Sequence, residues 1–499
     1  MILKIVLIFL LSLSVFSSET IVRVPLKALP SNLELDKLIN MDQTKVAGML
    51  VDGLIEIGEN LKFNPRLMKE SKWKNNQKTL EIKLGKHFFS DASPITSKQL
   101  IKSLTDCIKR SKRLPLTSFR QIIGYKNFIS NKSKTLEGLK VIDSETIQFN
   151  TKKYAPRIID NLHHVSCSAL KATKNSNDLL KGAIGSGPYQ LQKNSDQNSL
   201  VLVKRNKFFG KKSGPDKIIY TSNNDFGNYE KMKNKFDLIE LKEDPGPTPE
   251  FNRYKSSSLA TYQLGFNNSK KPFDNEKLRK AVELAIDYKL LSEKMKWSSS
   301  RMQKGLFPYG MSGFIKRNLE KRNYLEANKI LKSLGYSEKK PFRFIILTSM
   351  RKNIEKEIKL WPKLFNKSFI KVEVKLLEHK ELVKRKEAGD FEVIRYTKYA
   401  GSLEPDILLG SYLSTSVYNT PRAKQKECDT KINTAVNENN SSKRNKLYQI
   451  AGKCLIDHQV IVPLASHNSG LVLIRKPWRL RRTNQYMLYS YFINEWIKE

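Results

Sequence analysis

Two hydrophobic periodicities run along the chain. Alternation at period two marks residues 19–26 (ETIVRVPL), 79–84 (TLEIKL), 200–205, 342–348, 370–376 and 391–396 as strands. Apolar residues spaced three and four apart predict helices over 96–108, 278–295 and 325–334. Thr96 is placed to cap the first of these, ahead of Gln99. Residues 45–57 read as a helix running into a short strand with Gly53 at the break, and 139–150 as two strands around the turn at Asp143-Ser144. The strands of 342–396 alternate with helical stretches, a βαβ rhythm that predicts an α/β protein. No internal repeat or long low-complexity linker interrupts the pattern, so domains must be stitched by chain crossings rather than joined by tethers.

The N-terminus differs. Lys4 precedes an apolar run over 5–16 broken only by serines, with small residues Val15 and Ser17 at cleavage spacing. The run is too short for about 30 Å of hydrocarbon, so residues 1–17 read as a signal peptide and the mature chain as exported to the periplasm. No Cys lies near the cut, which argues against a lipid anchor. In an exported chain, four cysteines suggest disulfides. Cys428 and Cys454 flank a turn at 437–442 and reach similar heights on an antiparallel helix pair, so a bridge between them is geometrically reasonable. Cys107 and Cys167 remain as a second candidate pair; free buried thiols are the alternative for both.

Lys and Arg number 90 against 49 acids, a formal net charge of +41. Such a surface attracts polyanions within a screening length of about 8 Å. The basic residues are spread along the chain, however, and the densest run, 475–482 (RKPWRLRR), lacks the clustered stacking aromatics of a specific nucleic-acid site. A solvated basic surface is the plainer reading. Catalytic patterns are missing too: there is no HExxH, nucleophile elbow or phosphate loop. The glycine-rich 182–187 (GAIGSG) follows a Lys-rich helix end and runs into Pro188, the wrong setting for phosphates. His163 and His164 are adjacent and would face opposite sides of a strand, so neither an enzyme nor a metal or other cofactor is expected.

Several landmarks come in a telling order. Residues 262–291 hold Phe266-Asn267, Pro272-Phe273-Asp274, then Arg279, Ala281 and Ala285-Ile286-Asp287. Gly185-Ser186-Gly187-Pro188-Tyr189 precedes 204–210 (KRNKFFG); Asp52-Gly53-Leu54, 65–73, 82–96, 325–335 and 461–464 complete the series. Over nearly the whole mature chain the sequence resembles the family 5 extracellular solute-binding proteins, which include periplasmic oligopeptide-, dipeptide- and nickel-binding proteins. The resemblance implies an α/β periplasmic-binding-protein fold of two lobes with a two-strand hinge and an extra domain on the first lobe. On that pattern 18–40, 166–259 and 469–499 form the first lobe, 41–165 the extra domain and 260–468 the second lobe, with chain crossings near Leu259 and Asn468 as the hinge.

It also implies a function. The chain would capture a short peptide or similar small organic solute and deliver it to an ABC transporter permease in the inner membrane, as a monomer and with no bond made or broken. A nickel chelate, haem or glycan fragment is the alternative cargo, and polyanion binding or adhesion the alternative role. Peptide binders of this family carry an Asp in the loop corresponding to 391–406 (FEVIRYTKYAGSLEPD), which pairs with the ligand α-ammonium. Here that position falls on Gly401 and the next on Ser402, while Glu404-Pro405 keeps the end of the pattern. Losing one partner of a desolvated charge pair costs about 3–5 kcal/mol, so either Glu404 or another acid substitutes or the ligand lacks that amine. Arg395 falls where peptide binders carry a pocket arginine, and Lys398 adds charge nearby; together they tilt the cleft toward an anion, with a solvated strand end as the alternative. The expected lining is Arg395, Lys398, Tyr399, Gly401, Tyr262 and Phe119, with Leu29 to Leu33, including Asn32, as a backbone-contact segment.

Overall fold

A six-stranded mixed sheet is the largest layer of the computed structural model. All residues are described except 1–18, 39, 58–62, 111–116, 175, 193–197, 209–212, 242–243, 257–258, 295–299, 303–304, 309–310, 316–321, 351–353, 401–403, 468–469, 482–492 and 499. In spatial order the strands are Ser300–Met302, Ile461–His467, Ala260–Phe266, Val393–Tyr399, Phe342–Ser349 and Ile370–Leu377. The last three run parallel and are linked through the helices Ile354–Leu364 and His379–Ala388, which realises the βαβ rhythm of the sequence. The core on one face gathers Leu264, Phe266, Phe273, Phe344, Trp361 and Val393. Phe266 and Phe273 stack with centroids 5.0 Å apart. Asn267 then fastens the turn, its Nδ2 donating to the carbonyls of Gly389 (2.8 Å) and Phe391 (3.0 Å).

The helix expected over 278–295 is two helices, Glu276–Ala285 and Tyr288–Lys294. Ile286 is extended at the break, and Asp287 Oδ1 accepts from the Leu290 N–H at 2.9 Å, starting the second helix. Arg279 sits inside the apolar face of the first. It is only 2 % exposed because its guanidinium donates to the carbonyls of Phe273 (2.8 Å) and His458 (2.9 Å).

A second body of structure combines the four-stranded sheet Ile21–Leu26, Lys217–Ser222, Ser199–Lys204, Tyr189–Leu191 with the three-stranded sheet Leu238–Leu241, Gly470–Arg475, Phe251–Ser256. Its core draws on both chain ends, from Val22 and Leu26 to Trp478 and Trp496. The helix Met41–Leu50, opened by a capping box between Asn40 and Gln43, packs into this core through Val46, Ala47, Met49 and Leu50. A third core runs from Leu54 to Ala169, under the sheet Met68–Lys74, Thr79–Leu84, Thr146–Asn150, Leu139–Val141 and the helix Ser97–Arg110. The glycines of 185–187 are packing residues: a Cβ on Gly185 would lie 2.0 Å from the Leu50 carbonyl oxygen, and one on Gly187 2.5 Å from the Leu50 carbonyl carbon.

The chain passes between the three-stranded and six-stranded sheets twice. Phe251–Ser256 leads into Ala260–Phe266, and Ile461–His467 leads into Gly470–Arg475. The two passages lie side by side, because Ser256 is paired opposite Gly470 and Ala260 opposite His467. Two adjacent passages of chain thus join the two lobes, the geometry of a two-strand hinge.

Cys107 is bonded to Cys167 and Cys428 to Cys454. The second bridge ties the helices Lys426–Val436 and Ser441–Asp457 across a separation of 26 residues. Replacing both Cys428 and Cys454 by Ser is expected to lower stability by about 3 kcal/mol through the released closure entropy. Urea unfolding of the variant beside the parent measures this, and an unchanged midpoint would show the bridge to be energetically idle.

Candidate ligand-binding site

The 393–399 strand has two different sides. Toward the hinge strand Ala260–Phe266 it is paired along its whole length, Tyr399 opposite Ala260 and Val393 opposite Phe266. Toward Phe342–Ser349 it is paired only at Val393 and Ile394. Beyond Ile394 the pairing to Phe342–Ser349 ends, which leaves that edge of the strand open toward its carboxyl end, where α/β sheets commonly hold ligands. The Ala400 N–H donates to the Leu259 carbonyl at 2.7 Å, which sets the alternation. Main-chain groups of Tyr396 and Lys398 therefore point to the hinge strand, and those of Thr397 and Tyr399 to the opened edge.

Side chains alternate across the same strand. On one face the Arg395 guanidinium lies 4.7 Å from the centroid of Tyr262, and burial pushes its pKa down to about 10. On the other face the Lys398 ammonium lies 5.7 Å from the ring centroid of Tyr412 and 5.9 Å from that of Tyr418. Burial, aided by the charge of Lys386, pushes the Lys398 pKa down to about 7. Tyr412 is fixed by Gln263, whose Nε2 donates to its hydroxyl at 2.7 Å. The two cations expected to act together thus stand on opposite faces of one strand, since a separation of three residues reverses the side.

The remaining expected residues divide. The Leu33 N–H donates to Asp178 Oδ1 (2.9 Å), the Asn32 carbonyl accepts from Gln43 Nε2 (3.0 Å), and Asn32 Nδ2 donates to Glu34 Oε1 (2.8 Å). The 29–33 segment is thereby pinned to the first lobe, with Leu29 against that core. Phe119 is fully buried in the third core, against the expectation that its ring lines the cleft. The alignment around it carried too little pattern to place a side chain. Gly401 and Ser402 lie outside the described residues. Glu404, a candidate to replace the missing Asp, is otherwise engaged: its carboxylate accepts from Arg444 Nε (3.4 Å) and Ser312 Oγ (3.2 Å) and lies 3.1 Å from Tyr448 Oη.

Those contacts belong to a clasp that sequence reading missed. Arg157, on the short helix Arg157–Asn161 of the third core, forms an ion pair with Asp406 and donates to Tyr448 Oη at 2.7 Å. Tyr448 Oη in turn donates to Asp406 Oδ1 at 2.5 Å. Asp406 and Tyr448 stand on the helices Asp406–Gly410 and Ser441–Asp457, so the cluster ties the third core to elements far along the chain. Gln121 to Asn437 (3.1 Å) and Asn439 to the Tyr154 carbonyl (3.5 Å) extend it. Burial works against the Arg157 cation, but Asp406 and Tyr448 outweigh it and raise its pKa above the ordinary value. Cys428, Cys454 and His458 are close enough to suggest a metal site among the described residues, yet the two sulfurs are spent on each other.

The comparisons with known proteins bear on this geometry. Residues 62–420 match the model of the bacterial extracellular solute-binding proteins, family 5 middle. The periplasmic murein peptide-binding protein MppA of Escherichia coli (strain K12) is 23 % identical over 481 residues, covering 90 % of this chain and 88 % of its own. Among solved structures, Haemophilus influenzae OppA in complex with RPPGFSPFR superposes with a TM-score of 0.80 at 19 % identity, covering 96 % of this chain and 99 % of its own. The Escherichia coli murein tripeptide binding protein MppA gives 0.80 at 20 % identity, with coverages of 97 % and 99 %.

Removing one partner of the clasp is expected to cost more than the pair contributes. Arg157→Met leaves Asp406 buried without its cation and should lower stability by about 3 kcal/mol. It should also speed amide exchange at residues 437–448. Urea unfolding and hydrogen exchange report both; parental values in both would mean that the clasp does not hold the lobes.

Proposed function

The chain belongs to the bacterial extracellular solute-binding proteins of family 5, and from that membership we propose that it captures short peptides between its lobes and presents them to an ABC importer. The observation that carries this reading is the opened edge of the 393–399 strand. Main-chain donors and acceptors at Thr397 and Tyr399 face the side that Phe342–Ser349 vacates. An extended peptide laid along that edge continues the sheet, and its backbone supplies the partners. Recognition of this kind reads the peptide main chain rather than its sequence, which suits a receptor for mixed cargo.

Closure supplies the rest. The hinge lets the first lobe and the third core swing onto the second lobe, and the Arg157–Asp406–Tyr448 clasp sits where they meet. The described groups of the site are main-chain amides, rings and cations, which suit binding. Residues 1–17 would export the chain to the periplasm, where it would act as a monomer without lipid or cofactor. Among the described residues no helix is long and apolar enough to cross a membrane.

Native mass spectrometry of the purified protein should show a ladder of short peptides. After their removal, calorimetry with a defined peptide should give one site, and N-methylation of alternate amides should weaken binding about tenfold or more. A discrete metal chelate, pigment or glycan mass would replace the peptide by another cargo. Empty protein that binds heparin with a steep salt dependence would instead favour polyanion binding.

A further inference from the structure

Resting on the peptide-capture reading, we propose that Lys398 makes the site select guests with an acidic side chain, its ammonium pairing with that carboxylate on the face of the sheet opposite Arg395. The buried cations elsewhere in the protein provide the contrast. Arg205 is held by the carbonyls of Gly187 (2.7 Å) and Phe89 (2.6 Å), and Arg279 by those of Phe273 and His458. Arg66 is held by Asp52 (2.7 Å), and Lys45 by Glu240. Around Lys398 the described neighbours are the rings of Tyr412 and Tyr418, and the one charge that bears on it, Lys386, is of like sign.

Two ring faces attract an ammonium but accept none of its three N–H groups in the manner of a carboxylate. Such a cation is desolvated by burial and has no carboxylate partner among the described residues, so an arriving anion gains more there than it would at a hydrated lysine. The guest can reach it. Lys398 is one residue from Thr397 and Tyr399, whose main chains face the opened edge, and every second side chain of an added strand projects to its face. Tyr418, one of the two rings beside the ammonium, is 37 % exposed and the neighbouring Val417 77 %, so this ring borders solvent.

The test uses peptides of one length that differ only by Ala, Glu or Lys at each position in turn, titrated into the parent protein and Lys398→Met. At one position Glu should bind about tenfold tighter than Ala and Lys more weakly, and in Lys398→Met the Glu-over-Ala ratio should fall to about one. An anion raises the lysine pKa from about 7, so binding the Glu peptide at about pH 8 should take up a proton. Calorimetry in buffers of different ionisation enthalpy reads this on the unaltered protein. Ala peptides that bind while no position favours Glu, or a Glu preference that survives in Lys398→Met, would overturn the inference and leave peptide capture standing. Failure of every peptide to bind would remove both.

Discussion

Two strands that cross from one sheet to another while staying side by side constrain everything else in this protein. The passages 251–266 and 461–475 enter as neighbours in the three-stranded sheet and leave as neighbours in the six-stranded one. Each lobe keeps its own hydrogen-bonded register on either side of the crossing. The hinge strand Ala260–Phe266 is also the floor of the site, since it aligns the 393–399 strand along its whole length. A motion at the hinge and the presentation of a binding edge are therefore properties of one structural element.

Charge is managed in the same economical way. With a net charge of +41, the protein still encloses several cations, and most are matched by carbonyls or carboxylates. The Arg157 clasp gathers two carboxylates and the Tyr448 hydroxyl where the bodies meet, and one of those carboxylates is Glu404, the candidate partner for a ligand amine. Arg395 and Lys398 present positive charge on both faces of the strand that would receive the guest. On the peptide-capture proposal this arrangement favours a guest that carries negative charge.

Much of the fold was legible because its signals are local. Thr79–Leu84 is read directly from alternation, and the parallel order of the strands after 342 from the helices between them. Landmarks such as Asn267 and Gly185 have mechanical reasons: one side chain ties two carbonyls, and the other position admits no Cβ. The break at Ile286 was harder, because apolar spacing continues across it. The site was less legible. The opposite facing of Arg395 and Lys398 follows from period two and could have been drawn from their numbers alone. Phe119 rested on a weakly patterned stretch. The clasp had no sequence signal at all, since Arg157 meets Tyr448 across 291 positions.

The proposal that unites these features is capture without chemistry, in which the lobes would swing about paired strands and shut over an unaltered peptide. Small-angle X-ray scattering, with and without a saturating peptide that is afterwards recovered and weighed, tests this most directly. The account predicts a smaller radius of gyration with peptide present and an unchanged peptide mass. Identical scattering curves despite binding, or a peptide returned in fragments, would contradict it.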